Sequence, residues 1–377
     1  MTQAAVRRVP LSKPSIGERE EELVLEVLRS GRLSLGPMIE RFEERFAERV
    51  DAPFAAACSS GTTGLHLLCH AAGLRPGDEV ITSPISFVAT ANCFIYEGAV
   101  PVFADVHPDT LNLDVDAVEA AITERTRAIV AVDMFGLPCD LDALSALCEQ
   151  HGLTLIQDSC EALGASYRGR PVGSHGPSAV FAFYPNKQMT TGEGGIVTTH
   201  SEELWHLLKS LRNHGRSYDA RWFNHVRLGF NYRISDINAA LGVAQLERLD
   251  EILTARDRVA ALYGELLAGI DGVEVPHPDD DEHVRSWFVY VIKLDRGLDR
   301  DFISANLGAR GVEAGHYVPC VHLQPYLRDR YGFHEGMCPV AEDAATHTLA
   351  LPFFTDITAD DQAYVAEVLS DVVMAGG

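Results

Sequence analysis

Residues 77–106 read GDEVITSPISFVATANCFIYEGAVPVFADV, and this stretch indicates the class of fold. An apolar run at 79–83 is followed by a segment at 87–97 in which apolar residues recur at three- and four-residue steps. A second apolar run follows at 100–105. Short runs rich in Val and Ile are typical of buried strands, and the three- and four-residue period is typical of helices. The stretch therefore predicts a strand, a helix and a second strand in succession.

The alternation of strand and helix patterns continues towards residue 158. Apolar runs at 128–132 and 154–158 predict strands, and helical patterns at 115–122 and 141–151 lie between them and the preceding strands. Strands that alternate with helices form a mainly parallel sheet with helices on both faces, so we predict an α/β fold. Ligands of such sheets bind beyond the carboxyl ends of the strands, and candidate site residues are expected there.

The residues after 187 predict further elements and a second domain. We expect strands at 195–199 and 287–294, and helical segments at 201–212, 235–267, 300–310 and 359–373. A long helix after an α/β domain often leads into another domain, which places the boundary near residue 249. We therefore expect a large domain at 1–248 and a smaller α+β domain at 249–377.

Composition excludes several classes of protein. The 377 residues carry a net charge of −23, and such an acidic chain repels phosphate backbones, which argues against general nucleic-acid binding. Hydrophobic residues at 46% and charged residues at 23% are typical of a globular enzyme and exclude wholesale disorder. No apolar run reaches the ~18 residues needed to cross a bilayer, so no membrane association is expected.

The N-terminus and the cysteines indicate the compartment. Residues 1–20 contain no apolar segment of the kind found in secretory signals. The eight cysteines are widely spaced and form no C-x-x-C pair, a pattern typical of reduced thiols rather than of a zinc site. We therefore expect a cytoplasmic protein without a bound metal.

The segment SSGTTG, residues 59–64, is the first candidate binding site. It combines small and hydroxyl residues directly before an apolar helical pattern. At the N-terminus of a helix such residues leave backbone N–H groups open to an anion such as a phosphate. The same residues also fit an ordinary Ser/Thr helix cap, and the segment alone leaves both interpretations open.

Asp158 and Lys187 are the candidate catalytic residues. Asp158 ends the predicted strand at 154–158 and so lies at the ligand edge of the sheet, although a cap on the following turn fits its position equally well. Lys187 lies in FAFYPNKQ, residues 181–188. An amine among aromatic residues favours its neutral, nucleophilic form, whereas the alternative interpretation is an ordinary solvated lysine.

A basic segment interrupts the acidic chain between residues 205 and 233. It has a local charge of +5, since its one acid, Asp219, is outnumbered by Lys209, Arg212, Arg216, Arg221, Arg227 and Arg233. Positive charge of this kind attracts phosphate-bearing ligands, and the alternatives are a solvated face or a subunit contact. Other catalytic templates, such as the nucleotide-binding glycine motifs and H-E-x-x-H, are absent from the sequence.

Taken together, six segments resemble the DegT/StrS family of pyridoxal-phosphate (PLP) sugar aminotransferases, and the resemblance covers nearly the whole chain. The string around Lys187 is highly specific, whereas the other segments are weak signals singly. The matching segments are SSGTTGLHL at 59–67, GDEVITSPISFVATANC at 77–93, DSCEALGA at 158–165, FAFYPNKQMTTGEGG at 181–195, LGFNYRISDINAALGVAQLERL at 228–249 and HYVPCVHLQPY at 316–326. The resemblance implies the PLP fold type I.

The resemblance also implies a role for each residue of the candidate site. Lys187 would carry PLP as a Schiff base, and Asp158 would pair with the pyridinium nitrogen so that the ring accepts carbanion charge. Phe87 would stack on the ring. The cofactor phosphate would be held by Gly61, Thr62 and Thr63.

A shared active site follows from the same resemblance. In this family the residue corresponding to Asn231 reaches the phosphate in a neighbouring subunit, so an active homodimer is expected. The basic segment, including Arg233, would then lie near anionic groups. His316, Tyr317 and His322 are candidate contacts of the acceptor substrate, although a structural role for the two histidines is equally consistent with the sequence.

Two positions depart from the family pattern. Five residues before the lysine, many members carry a serine that binds the phosphate, and this chain has Ala182, which has no donor. The glycine–threonine segment and the neighbouring chain would then carry more of the phosphate binding. Three residues after Asp158, many members have Gln or His near the phenolic oxygen of the cofactor, and this chain has Glu161. A carboxylate there repels a phenolate unless it is protonated.

The resemblance implies an aminotransferase with two half-reactions. L-Glutamate would donate its amine, and a nucleoside-diphosphate 4- or 3-keto-6-deoxy sugar of polysaccharide or antibiotic biosynthesis would accept it. A keto-cyclitol acceptor is the alternative. A related PLP sugar dehydratase is disfavoured because such enzymes carry histidine in place of the lysine. A non-catalytic regulatory protein is disfavoured because Lys187, Asp158 and Phe87 are all present.

Overall fold

The computed structural model of this protein describes residues 7–217 and 224–376, so Asp219 and Arg221 of the basic segment lie outside the described residues. The elements of the first part are, in chain order, α1 (Glu18–Ser30), α2 (Pro37–Arg49), β1 (Phe54–Cys58), α3 (Gly61–Ala71), β2 (Glu79–Thr82), α4 (Ala89–Ile95), β3 (Val100–Phe103), α5 (Val115–Ala120), β4 (Thr126–Val132), α6 (Leu141–His151), β5 (Thr154–Asp158), β6 (Ser166–Tyr167), β7 (Arg170–Pro171), β8 (Ser178–Ala182), β9 (Gly195–Thr199), α7 (Glu202–Leu211), α8 (Asp236–Glu247) and α9 (Leu249–Leu267).

The described residues of the second part form four strands and four more α-helices. Its elements are β10 (Val273–Glu274), β11 (His283–Val284), β12 (Tyr290–Leu294), α10 (Arg300–Ala309), α11 (Pro325–Tyr331), α12 (Pro339–His347), β13 (Thr348–Leu351) and α13 (Ala359–Gly376). Across both described ranges, none of the helices combines the length and apolar character needed to cross a membrane.

Seven strands form the central sheet, in the order β1-β9-β8-β5-β4-β2-β3. β9 runs antiparallel to both of its neighbours, whereas the neighbouring pairs from β8 to β3 are all parallel. The mainly parallel α/β fold predicted from the sequence is therefore confirmed. Asp158 is paired with Val132 of β4 and with Val180 of β8, so the carboxyl ends of three strands meet around it.

Apolar side chains cover both faces of this sheet. Neighbouring residues of β8 point in opposite directions, as alternation along a strand requires. Phe181 packs against Phe46 of α2, with ring centroids 5.1 Å apart, whereas Val180 belongs to a different cluster that contains Leu65 of α3. All four side chains are almost fully buried. Because helices cover both faces, the ends of the strands remain as the open edge of the sheet.

The helical stretch predicted at 235–267 consists of two helices. Ser235 begins α8, since its Oγ accepts a hydrogen bond of 3.1 Å from the N–H of Asn238. The chain then turns at Arg248 (φ −114°, ψ 8°) and continues as α9. The Arg248 guanidinium is held by the buried carboxylate of Glu20 in α1, with an N–O distance of 3.0 Å. The apolar period continues across this turn, so the pattern alone does not reveal the break.

A second apolar cluster surrounds the three-stranded sheet β10-β12-β13, with α9, α10 and α13 packed against it. α9 belongs to both parts of the molecule, since Leu249 lies in a cluster of the central sheet and Tyr263 in this one. Val9 also lies in the second cluster, where its N–H donates to the carbonyl of Gly311. The division into domains at 1–248 and 249–377 stays a prediction.

Candidate active site

A cavity of about 580 Å³ opens at the carboxyl edge of the central sheet. Its wall includes the ends of β4, β5 and β8, the start of α3 and the segment that precedes α4. The fold thus brings together residues that lie far apart in the sequence. The predicted site residues that line the cavity are Gly61, Thr62, Phe87, Asp158, Glu161, Lys187 and Tyr317.

Lys187 lies on the loop that follows β8. Two hydrogen bonds hold its backbone, because its N–H donates to the carbonyl of Tyr184 at 3.0 Å and its carbonyl accepts from Arg256 Nη2 at 3.1 Å. The amine Nζ lies 3.5 Å from Glu161 Oε1 and 3.9 Å from the ring centroid of Phe288. Only 14% of the side chain is exposed, so Lys187 does not have the surroundings of an ordinary solvated lysine.

Asp158 is buried at the end of β5. Its Oδ2 accepts a hydrogen bond of 2.7 Å from Thr90 Oγ1, and its Oδ1 accepts one of 3.2 Å from the N–H of Cys160. The first bond orients the carboxylate within the cavity wall, and the second closes the turn that follows the strand. The geometry of Asp158 therefore fits both interpretations of the sequence, a carboxylate at the ligand edge of the sheet and a cap on the following turn.

Glu161 lies on the turn after β5 and faces Lys187. Its Oε2 accepts a hydrogen bond of 3.0 Å from the N–H of Phe135, and 12% of its side chain is exposed. Burial raises the pKa of Glu161, the charge of Lys187 opposes that rise, and the charge of Asp158 adds to it. Glu161 therefore takes up a proton more readily than a free glutamate does.

The segment at 59–64 forms the N-terminus of α3. Ser60 Oγ accepts a hydrogen bond of 3.2 Å from the N–H of Thr63, and Thr63 Oγ1 accepts one of 3.0 Å from the N–H of Ser60, which is a reciprocal capping box. The Thr63 side chain is committed to this cap, whereas Gly61 and Thr62 line the cavity. A Cβ on Gly61 would lie 2.7 Å from the Cβ of Ala182, so only glycine fits there.

Phe87 is a large aromatic side chain that remains 68% exposed while lining the cavity. An exposed ring in the wall of a cavity offers a flat ligand a surface for stacking. Phe288, in contrast, is almost fully buried beside the Lys187 amine. One aromatic ring is therefore available to a ligand, and the other shields the lysine from solvent.

The three candidate acceptor contacts lie in different environments. Tyr317 lines the cavity, and burial raises its pKa. His316 lies at the surface, with Nε2 3.5 Å from Asp301 Oδ1. His322 is completely buried, with Nε2 3.0 Å from Glu342 Oε1. Neither histidine is among the described residues that line the cavity.

Asn231 and Arg233 lie away from this cavity in their own chain. Arg233 lines a separate cavity of about 330 Å³, where its Nη1 donates to Asn213 Oδ1 at 2.9 Å and burial lowers its pKa. Asn231 is exposed, and its backbone bridges that of Asn213. Neither residue borders the larger cavity within the described ranges.

Part of the basic segment is structural. Arg212 is buried and donates hydrogen bonds to the Glu43 carboxylate and to the carbonyl of Ala57. Lys209 Nζ lies 3.8 Å from the same carboxylate. Both basic residues therefore contact one carboxylate inside the chain, which leaves less of the segment available to an anionic ligand.

Several site residues carried little signal in the sequence. Thr90 lies within the apolar pattern of α4, and Phe288 and Arg256 come from distant parts of the chain. The only available hint was a pair of hydroxyl residues one helical turn apart, Ser86 and Thr90, whose Oγ atoms lie 2.6 Å apart. Such a pair is too common to indicate a site without the fold.

Comparison with known proteins decides the family. The chain matches the model of the DegT/DnrJ/EryC1/StrS aminotransferase family over residues 14–370. It belongs to this family. The family member is 39% identical to the spore coat polysaccharide biosynthesis protein SpsC of Bacillus subtilis, over 99% of each chain. It is 38% identical to GDP-perosamine synthase of Caulobacter vibrioides, over 97% of this chain and 99% of that one.

Solved structures of related proteins have the same fold. The PLP-form of Spr1654 from Streptococcus pneumoniae superposes with a TM-score of 0.94 at 27% identity, over 98% of this chain and 100% of that one. DesV of S. venezuelae superposes with a TM-score of 0.90 at 34% identity, over 97% and 98% of the two chains. This DegT/DnrJ/EryC1/StrS family member is a PLP-dependent aminotransferase of the sugar aminotransferase type, as predicted.

The residues of the cavity fit this cofactor. A buried carboxylate, Asp158, is held in place at a strand end, and Lys187 lies in the same cavity with its amine shielded from solvent. The start of α3 offers backbone N–H groups beside Gly61, where a side chain has no room. Phe87 offers an exposed ring. A group with a phosphate, an aldehyde and a flat basic ring matches all four features.

Proposed function

We propose that this family member transfers the amino group of L-glutamate to a nucleoside-diphosphate 4- or 3-keto-6-deoxy sugar. The observation that carries the proposal is the meeting of Lys187 and Asp158 in one cavity, together with the exposed ring of Phe87. The similarity to a GDP-perosamine synthase supports a nucleotide-linked sugar as the acceptor. The similarity to a spore coat polysaccharide biosynthesis protein supports a role in polysaccharide formation.

Residues from three elements would hold the cofactor. When bound, PLP supplies a carbonyl carbon that binds amines and an electron-poor ring that accepts carbanion charge. Asp158 would keep the proton on the ring nitrogen, because Thr90 and the N–H of Cys160 hold its carboxylate in one orientation. The N–H groups at Gly61 and Thr62 would bind the phosphate, and Phe87 would cover a face of the ring.

Lys187 would move the protons of both half-reactions. Arg256 holds the backbone carbonyl of Lys187 at the cavity that the lysine lines, so the side chain would extend from a fixed point beside the substrate. A positioned amine can take a proton from the substrate carbon and return it to a neighbouring carbon within one site. Phe288 lies against the amine and limits the access of water to it.

We also propose that the active unit is a homodimer with shared sites. Asn231 is exposed and lies outside the cavity formed by the described residues of its own chain, so it is free to reach the phosphate site of a partner. A cytoplasmic location is proposed as well. It is supported by the free state of the cysteines, all but one of them buried.

An assay with a panel of acceptors tests the substrate. The purified protein is incubated with glutamate and with nucleoside-diphosphate 4-keto sugars, 3-keto sugars or keto-cyclitols, and products are identified by mass spectrometry. We expect an amino sugar from at least one nucleotide-linked acceptor. Turnover of keto-cyclitols alone would contradict the proposed acceptor and support the alternative. Asp158→Asn serves as the low-activity control, because a neutral amide does not stabilise the ring charge.

Mixing two variants tests the shared site. Lys187→Ala removes the catalytic amine, and Asn231→Asp places a repelling charge at the proposed phosphate contact of the partner. If the sites are shared, each variant has little activity alone. Each mixed dimer has one intact site of its two, and mixed dimers make up about half of an equal mixture, so the mixture regains roughly a quarter of the wild-type activity. A mixture no more active than its components would contradict the shared site.

A further inference from the structure

Glu161 and Lys187 form a buried pair whose carboxyl group has no assigned task. Lys187 Nζ and Glu161 Oε1 lie 3.5 Å apart, and 14% and 12% of the two side chains are exposed. The second oxygen, Oε2, accepts the N–H of Phe135 at 3.0 Å, which fixes the orientation of the carboxyl group. One oxygen is thus bound to the backbone, and the other faces the lysine that is proposed to carry the cofactor.

Two groups stabilise the charged form of Glu161, the Lys187 cation and the N–H of Phe135, and the contribution of Lys187 lasts only while its amine is charged. Asp158 of β5 is a like charge, and its presence raises the pKa of Glu161 beyond the rise that burial causes. The thiol of Cys160 and the hydroxyl of Tyr317 also face Glu161, and its charge adds to the burial that raises their pKa values. Among the described residues at this site, Lys187 is the cation that opposes these effects.

We propose that Glu161 receives the proton that Lys187 gives up when PLP attaches, so that its carboxyl group is neutral in the loaded enzyme. The proposal rests on Lys187 being the attachment site. Lys187 begins as an ammonium group with three N–H bonds. On attachment the aldehyde C=O bond breaks and a C=N bond forms. Two of the protons leave with the oxygen as water, and the third passes to Glu161 Oε1, where an O–H bond forms.

This transfer converts a buried ion pair into two neutral groups. Two charges out of contact with water carry a desolvation cost that a neutral pair avoids, so a buried site favours the transfer. A protonated Glu161 also no longer repels a phenolic oxygen and can donate a hydrogen bond to it. The carboxyl group then acts as a neutral hydrogen-bond donor, as a glutamine side chain at this position would.

Titration calorimetry measures this transfer. Binding of PLP to the cofactor-free protein is measured at one neutral pH in buffers of different ionisation enthalpy, which gives the number of protons exchanged with the buffer. We expect Glu161→Gln to release one more proton per site than wild type, because the glutamine does not take it up. Glu193→Gln removes an exposed carboxylate from the same cavity and is expected to match wild type. Equal proton counts in wild type and Glu161→Gln overturn the proposal.

An infrared difference spectrum of wild type gives an independent measurement if Glu161→Gln folds or binds poorly. Loading with PLP is expected to produce the band of a protonated carboxyl group, and the absence of that band overturns the proposal. Borohydride reduction followed by peptide mass spectrometry shows whether the cofactor is attached to Lys187, and so tests the proposed function separately from the role of Glu161. An adduct on Lys187 without proton transfer overturns only the role of Glu161. A wild-type protein without this adduct overturns the proposed function as well.

Discussion

Thr90 Oγ1 donates a hydrogen bond of 2.7 Å to Asp158 Oδ2, and this bond joins α4 to the end of β5. The same hydroxyl lies 2.6 Å from Ser86 Oγ, so a short chain of hydroxyl groups ends on the carboxylate. A hydrogen bond to a buried charge is among the stronger ones in a protein and restricts the orientation of the charged group. The direction in which Asp158 faces the cavity therefore depends on a residue of the neighbouring helix.

Replacing Thr90 by valine tests this dependence. Thr90→Val keeps the shape of the side chain and removes the donor, so we expect kcat to fall by roughly 10- to 150-fold, since a hydrogen bond to a charged group contributes about 1.5–3 kcal/mol. KM for glutamate should change less. Steady-state kinetics with Thr90→Ser as the control checks this, because serine restores the donor. A valine variant with the kcat of wild type would show that Asp158 needs no support from α4.

Replacing Lys187 by alanine tests the attachment site. We expect turnover to be lost and the visible absorption of the lysine-bound cofactor to disappear. PLP should still bind without a covalent bond, because Asp158 and the α3 N-terminus are unchanged. Lys13→Ala, which removes an exposed lysine, is the matched control and should retain both turnover and absorption. Normal transamination by Lys187→Ala would remove this lysine from the mechanism.

The close approach at Gly61 predicts a steric effect on stability. A Cβ at this position would lie 2.7 Å from Ala182 Cβ and 2.8 Å from Cys160 Sγ, so Gly61→Ala should destabilise the fold by about 1–3 kcal/mol. Gly308→Ala is the matched control, because Gly308 is a helical glycine with no atom within 4 Å of the added Cβ, and alanine should stabilise it by roughly 0.5–1 kcal/mol. Denaturant unfolding measures the stability of both variants, and equal stabilities of Gly61→Ala and Gly308→Ala would contradict the close approach at Gly61.

The buried carboxyl group of Asp133 predicts a dependence of stability on pH. It accepts hydrogen bonds from the N–H of Cys139, from Gln157 Nε2 and from Ser159 Oγ, yet burial raises its pKa from 3.8 to about 6. Between about pH 4 and pH 6, the carboxyl group of Asp133 is therefore largely protonated in the folded state and largely ionised in the unfolded state. Over this range the contribution of Asp133 to the free energy of unfolding falls as the pH rises.

Unfolding of Asp133→Asn across this range isolates the contribution. Asparagine does not titrate, so the stability of wild type relative to the variant should decrease by an amount on the order of 2 kcal/mol between about pH 4 and pH 6. Denaturant titrations at several pH values measure the difference. A difference that is constant over the range, or that grows with pH, would show that Asp133 is ionised in the fold at low pH.

Much of the central sheet could be predicted from the order of residues. The runs at 154–158 and 195–199 became β5 and β9 with the predicted bounds, and the pattern at 141–151 became α6. These elements have clear alternation of apolar runs and helical periods, a signal that is local. The turn at Arg248 could not be predicted, because the apolar period continues across it and Glu20, whose carboxylate pairs with Arg248, is distant in the sequence.

The amino-acid sequence by itself determined the family, the mainly parallel sheet and the candidates Lys187 and Asp158, because motif spacing and apolar periodicity are properties of neighbouring residues. Only the tertiary structure decided which other groups surround them. The carboxyl group of Glu161 beside the lysine, the hydroxyl of Thr90 on Asp158, and the separation of His316 and His322 from the cavity all depend on packing between distant segments. Burial and distance arise only after the strands and helices come together, and they set the electrostatics of the site.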